Sequence, residues 1–170
     1  AAELKDEQLY SQGHERPEGD FCPICTLPIP LPTHEHSGFM GCCMTTICEG
    51  CYFAATKRGI FDCPFCRTPR PDKDDAKALA LILARVEKRD PEAIHNLGQK
   101  YLHGGLGLQK DARRSVELWT EAVELGSVEA LYSLGDAHYS GIGVQADKAK
   151  GIQFWTKAAM QGHVESRHNL

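Results

Sequence analysis

No cysteine of this 170-residue chain lies outside positions 22–66, and no purely apolar run exceeds the stretch 78–84. A bilayer span needs about 20 apolar residues, so no membrane segment is expected in this chain. Positive charge is also short, with 19 Lys and Arg against 23 Asp and Glu and a formal net charge of −4. Without a basic stripe interleaved with aromatics, nucleic acid is not expected as a partner. The opening Ala1–Glu7 has no apolar signal-peptide core, and it does not begin with Met. The glycine-rich stretch 103–111 lacks the Gly-Lys-Ser/Thr ending of a phosphate loop and follows no strand pattern. No Ser/His/Asp or Cys/His catalytic set is placed by motif.

What is present is concentrated. All eight cysteines form four pairs, Cys22/Cys25, Cys42/Cys43, Cys48/Cys51 and Cys63/Cys66, spaced Cys-x2-Cys-x16-Cys-Cys-x4-Cys-x2-Cys-x11-Cys-x2-Cys. A Cys-x2-Cys turn lets two thiolates reach one ion, and eight thiolates fill two tetrahedral Zn²⁺ sites with none left over. Such sites are closed and structural. The competing reading is a disulfide framework, but disulfides do not require paired turns. A window this small cannot be held by an apolar core alone.

The order of these pairs, with Cys-Pro-Ile-Cys first (22–25) and Cys-Pro-Phe-Cys-Arg last (63–67), resembles the RING finger in its all-cysteine variant, over residues 20–71. The resemblance implies a cross-brace, with Cys22, Cys25, Cys48 and Cys51 on one zinc and Cys42, Cys43, Cys63 and Cys66 on the other. Cys42 and Cys43 are adjacent, where most RING fingers separate these ligands, and Thr45 stands where a His is common. His36 is the competitor for one of the two positions. The resemblance further implies a ubiquitin-protein ligase that binds a ubiquitin-conjugating enzyme and orients its ubiquitin thioester without a covalent intermediate. Ile24, Tyr52, Ala55 and Pro64 match the shallow docking groove for the conjugating enzyme. Arg67 matches the cation bridging that enzyme and ubiquitin, the residue acting in catalysis; its alternative role is charge compensation of the thiolates.

Within the window, the prolines at 28, 30 and 32 read as an extended loop, 44–51 as a strand entering a metal turn, and 52–58 as a short helix stopped by Gly59. Residues 1–19 are expected to be a flexible lead-in. Beyond Pro71, acidic Asp72–Asp75 open a connecting helix within 72–89. Its apolar residues at 76, 79, 80, 83 and 86 make one face, with Leu81 and Ile82 off it, the mark of a helix between two partners.

The remainder repeats. Residues 93–126 align with 130–162: Leu97-Gly98 recurs as Leu134-Gly135, Trp119-Thr120 as Trp155-Thr156, Gly126 as Gly162. A third copy begins at Val164. Two amphipathic helices per unit at this period mark an αα-solenoid. Asp90-Pro91 reads as a cap and first helical position, Gly98 and Gly135 as sites of close helix approach, and Trp119 and Trp155 as core. The pattern Leu-Gly-x2-Tyr, Gly-x-Gly, Trp-x2-Ala and Gly resembles the Sel-1-like repeat, a relative of the tetratricopeptide repeat, over 90–170. It implies a scaffold for a protein substrate or adaptor.

The expected architecture is therefore a small zinc-stabilised cross-brace domain followed by all-α αα-solenoid repeats, two full and a third truncated. The solenoid is expected to end uncovered at Val164, Leu170 and part of 152–160. The expected function is ubiquitin ligation in the cytoplasm, with the nucleus as the alternative compartment. The competing function is a zinc-binding interaction scaffold without ligase activity. The histidines, His34 and His36 included, read as solvated loop residues.

Overall fold

The computed structural model describes residues 20–31, 33–71 and 74–170. The lead-in expected over 1–19 lies outside the described residues.

The cysteine-bearing unit is mostly turns. An isolated bridge joins Phe21 to Pro28, and the Ile29 N–H donates to the Asp20 carbonyl at 2.8 Å. Proline cannot donate to a ladder, so pairing stops there. A 3-10 turn at Thr33–Glu35 leads into β1, Ser37–Met40, antiparallel to β2, Thr45–Cys48, with Ser37 opposite Cys48 and Met40 opposite Thr45. The turn between them carries Cys42 and Cys43. Helix α1 spans Glu49–Lys57, starting earlier than the expected Tyr52. The reason is local: Cys48 is its N-cap, its Sγ accepting the Cys51 N–H at 3.4 Å, so the Cys-x2-Cys turn is the helix's first turn. The core is small, with Ile29, Ile47, Cys22 and Cys63 at 0% exposure and Met40 at 6%. So few buried apolar groups make a chemical clip necessary.

Helix α2, Asp75–Val86, is capped by Asp74, whose carboxylate accepts the Lys77 N–H at 3.1 Å. The expected apolar face is corrected here. Ile82 is the residue buried against the repeats, flanked by Leu79 and Val86, whereas Ala76, Ala80 and Leu83 are exposed. Leu81 and Ala78 face the cysteine unit across a cleft. The helix does lie between two partners, but through residues the face count set aside.

Four 13-residue helices follow: α3 Pro91–His103, α4 Ala112–Glu124, α5 Val128–Ser140 and α6 Lys148–Met160. They form two antiparallel pairs, α3 with α4 and α5 with α6, and the short α7, Val164–Asn169, lies on α6. Each start is capped by a side chain, from Asp90, Asp111, Ser127, Asp147 and His163 in turn. Asp111 and Asp147 hold almost identical backbone angles, −147°/91° and −146°/93°, so the two units are local copies. The helix connection is one residue longer in the first unit, 104–111 against 141–147.

One core runs from Ile82 through Ile94, Leu97, Leu118 and Trp119 to Leu134 and Ala137, and Met44 of the cysteine unit packs against it. Trp119 is 2% exposed and Trp155 6%. Both pack closely against a glycine of the facing helix. A Cβ at Gly98 would come within 2.7 Å of Trp119 Cδ1, and one at Gly135 within 3.0 Å of Trp155 Cγ. Only hydrogen fits at either position. At the far end Leu170 is 49% exposed and Val164 half-buried, while Ala158 and Ala159 of α6 are fully covered.

Candidate metal centre

The eight thiols converge in two groups of four. Cys22, Cys25, Cys48 and Cys51 form one, Cys42, Cys43, Cys63 and Cys66 the other, and within each group the sulfurs lie within 4.8 Å of one another. The first group takes the first and third sequence pairs, the second group the second and fourth, so the chain crosses between them. His36 belongs to neither group.

Local structure delivers each pair. Cys22 and Cys25 sit on a turn in which Thr26 N–H donates to Cys22 O at 2.8 Å; Cys63 and Cys66 sit on its twin, closed by Arg67 N–H to Cys63 O at 2.9 Å. Thr26 and Arg67 both take positive φ, 60° and 63°. The β1–β2 turn brings the adjacent Cys42 and Cys43 round to one point. Their Sγ atoms stand 4.0 Å apart, with Met44 at φ 51° absorbing the twist.

The spacing fits a tetrahedral ion. Zn–S bonds of about 2.3 Å place sulfurs roughly 3.8 Å apart along a tetrahedron's edge. Cys25 and Cys48 are 3.7 Å apart, Cys43 and Cys63 3.8 Å, Cys42 and Cys66 3.3 Å. All eight are free thiols, and a disulfide would need about 2.05 Å.

The thiols also act on one another. Burial disfavours the Cys22 thiolate, but backbone hydrogen bonds at Cys25, Cys48 and Ile24 outweigh it and bring the thiol down to about 6. Burial similarly opposes ionisation of Cys66, and hydrogen bonds from Thr68 reverse that to about 6. Cys42 and Cys51 are pushed well up by burial and by neighbouring sulfurs. Crowded thiols therefore resist full ionisation until a cation is shared among them. Four sulfurs per group could hold a metal ion and leave no open position.

The other residues singled out from the sequence are arranged unequally. Ile24 is 43% exposed, and Arg67 is exposed beside Cys66. Pro64 is half-buried, and Phe65 next to it is 51% exposed. Ala55 is 8% exposed and offers a partner almost no area. Tyr52 is half-buried, its hydroxyl bonded to the Arg70 guanidinium, which also lies 5.0 Å over its ring.

Two features carried no sequence signal. Arg85 of α2 donates through Nε to the Cys42 carbonyl at 3.1 Å, and its Nη1 lies 3.3 Å from Asp90 Oδ2. Asp90 in turn caps α3 through the N–H groups of Glu92 and Ala93. One side chain thus ties the second cysteine group to the first repeat. The histidines are the other feature, and here the solvated-loop expectation is corrected. His163 is 3% and His138 8% exposed. His163 Nε2 lies 3.4 Å from Glu129 Oε2, and His95 Nε2 lies 3.0 Å from Ser133 Oγ. His95 and His138 lie on α3 and α5 and His163 caps α7, positions where spacing alone does not separate a core histidine from a surface one.

The repeats are recognisable beyond this chain. The Sel1 repeat family model matches residues 91–127 and 128–163, the two helical pairs. A Sel1 repeat protein from Oxalobacter formigenes is 31% identical, with a TM-score of 0.53 over 58% of this chain and 73% of its own. The chain belongs to the Sel1 repeat family. A protective antigen of uropathogenic Escherichia coli with an SLR fold, c5321, is 30% identical over 68% of this chain, with a TM-score of 0.52. The match spans only 23% of that antigen's length. Helicobacter pylori cysteine rich protein B shares the fold, at 22% identity and a TM-score of 0.52 over 56% of this chain and 71% of its own. No curated protein matches the chain. The Sel1 family match covers the helical pairs and leaves residues 20–71 to be read from their geometry. No helix among the described residues is long and apolar enough to cross a membrane.

Proposed function

We propose that this Sel1 repeat chain is a zinc-stabilised protein-interaction scaffold. Two structural Zn²⁺ ions would brace residues 20–71, one held by Cys22, Cys25, Cys48 and Cys51, the other by Cys42, Cys43, Cys63 and Cys66. The repeats over 90–170 would carry a protein partner. The observation that supports this reading is the convergence of eight sulfurs into two crossed groups of four, fused through Arg85 to a Sel1 solenoid. When bound, zinc supplies folding energy and no reaction chemistry, because four thiolates complete its shell. The cysteines hold the ion; the N–H groups of Cys51 and Cys66, 3.4 and 3.5 Å from Cys48 and Cys63 Sγ, orient and partly neutralise the sulfurs. Eight free thiols require a reducing compartment, so a cytoplasmic or nuclear setting is proposed with it. Native mass spectrometry with and without chelator tests the metal. Two zinc ions per chain are expected; a single ion, or disulfides in freshly purified protein, would overturn the assignment.

A second reading, ubiquitin ligation, is favoured by the exposure of Ile24 and Arg67 on the two twin turns. Ile24 would add apolar area to docking of a ubiquitin-conjugating enzyme, assisted by Pro64 and by whatever Tyr52 and Ala55 leave accessible. Arg67 would order the attached ubiquitin, its planar fork donating to two carbonyls at once. The gain in rate would come from holding the thioester in a reactive geometry. Ile24→Ala should weaken docking about five- to thirty-fold, as expected for about 1–2 kcal/mol at an interface anchor. Arg67→Ala should spare docking of the bare enzyme and slow ubiquitin discharge onto free lysine. Failure of the chain to accelerate discharge from any conjugating enzyme would remove this reading and leave the scaffold intact.

A further inference from the structure

A cleft of about 240 Å³ separates the cysteine unit from the repeats. Its base is apolar, with Met40, Ile82 and Leu106 among the residues that line it, the first two 6% and 4% exposed. Three polar groups are set into this lining, and none is neutralised. Lys100 of α3 forms no ion pair among the described residues. Arg70 is bonded to the Phe61 carbonyl and the Tyr52 hydroxyl, both neutral acceptors. Asn96 also lines the cleft, its side-chain oxygen covered and without a donor among the described residues. Among the described residues no carboxylate lines the cleft.

This lining favours a particular complement. Two cations beside apolar surface attract a carboxylate, and an arginine already oriented by two bonds loses little freedom in accepting one. The apolar base asks for an aliphatic or aromatic group. At about 240 Å³ the space is below the ~300 Å³ usual for drug-sized ligands and suits a single large side chain. An apolar side chain and a neighbouring carboxylate occur together in a peptide.

We propose that the cleft between the cysteine unit and the first Sel1 repeat binds a linear peptide segment in which a large apolar residue adjoins Asp or Glu. The apolar side chain enters toward Met40 and Ile82, and the carboxylate meets Lys100 and Arg70. This inference deepens the scaffold reading and rests on it, naming where one partner is held and by what chemistry. Because both walls contribute, the site exists only while the cysteine unit stays docked on α2.

A displayed library of random short peptides, selected on the immobilised full chain, is the probe. Enriched segments should pair Leu, Ile or Phe with Asp or Glu, and their affinity should fall with added salt. Synthetic copies should bind Lys100→Glu about tenfold or more weakly, bind Ala78→Phe, which fills the cleft, scarcely at all, and bind the remote Lys148→Glu as they bind wild type. Circular dichroism and metal content establish that the variants are folded. Enriched peptides that are basic or uncharged, or that bind both cleft variants undiminished, overturn the cleft and leave the scaffold reading standing. If no segment of any class binds, the cleft proposal falls, and the scaffold reading is decided by its own metal test.

Discussion

Gly98 offers a clean test of the packing that defines each repeat, because two known effects oppose each other there. Replacing a mid-helix glycine by alanine normally stabilises by about 1 kcal/mol, through the lower entropy of the unfolded chain. At Gly98 the new methyl would overlap Trp119 Nε1 and stand 2.7 Å from its Cδ1 and 3.3 Å from the Ser115 carbonyl. The indole cannot swing clear, since Trp119 is 2% exposed and its Nε1 donates to the His95 carbonyl at 3.3 Å. Relief requires α3 and α4 to part. Overpacking of this kind costs about 1–3 kcal/mol, and the strained indole bond adds about 1 kcal/mol. Set against the propensity gain, Gly98→Ala should destabilise the repeats by about 1–3 kcal/mol. Gly135→Ala should behave alike, since Trp155 occupies the same place and donates to Asp136 Oδ1 at 3.0 Å. Urea unfolding followed by far-UV circular dichroism measures this directly. A double-mutant cycle with Trp119→Phe isolates the clash, because removing the pyrrole ring should make Gly98→Ala less costly. Stabilisation by about 1 kcal/mol in the wild-type background would mean that the helices yield freely and that the glycine–tryptophan contact is not the constraint described.

Three further outcomes are expected. Chelation should unfold residues 20–71 while Trp119 and Trp155, both in the repeats, keep their native fluorescence; parallel loss of both signals would mean the repeats cannot stand alone. Arg85→Ala should lower repeat stability by about 1–2 kcal/mol and accelerate metal loss from the Cys42 group, read by a colorimetric chelator; unchanged release kinetics would show that its bond to Cys42 transmits nothing. Burial holds His95 neutral down to about 4, so its contribution is complete above pH 6.5 and fades as pH falls toward 4. The unfolding free energy from urea titrations read by tryptophan fluorescence should drop over that window by up to about 3 kcal/mol, and His95→Gln should flatten it; an identical acid limb in the variant would refute the assignment.

Periodicity made most of the solenoid legible. The duplicated Leu-Gly and Trp-Thr pairs located four helices, and Asp90-Pro91 located a cap, because those residues act through local backbone chemistry that recurs in each copy. The spacing of the cysteines likewise pointed to two metal sites, although a spacing does not give the sulfur separations. What escaped depended on docking. The face of α2 was misjudged because its burial is set by two neighbours at once, so Ile82 is buried while Leu83 is not. His138 and His163 lie inward, yet histidine is polar enough that spacing alone does not reveal it. Arg85, Lys100 and Asn96 sit where two folded units meet, and nothing local marks them.

That junction bears on how the two halves of the chain communicate. Arg85 touches a cysteine-group carbonyl and the cap of α3, while Met44, one residue past Cys43, packs into the repeat core. The turn carrying Cys42 and Cys43 is thus held from two sides by residues outside the cysteine unit. An adjacent pair of ligands demands a twisted backbone, seen in the positive φ of Met44, and a non-glycine residue in that conformation costs of order 1–3 kcal/mol unless its surroundings enforce it. Packing the partly buried Met44 side chain against the core shared by α2 and the repeats offsets part of that cost, since apolar burial contributes about 25 cal/mol per Å². The second cysteine group, whose four sulfurs also come from the cysteine unit, is therefore buttressed from outside by α2 and the repeat core. Loss of the repeats should then weaken metal binding at one group far more than at the other, and loss of metal at that group should loosen the wall of the cleft formed by Met40 and Cys42.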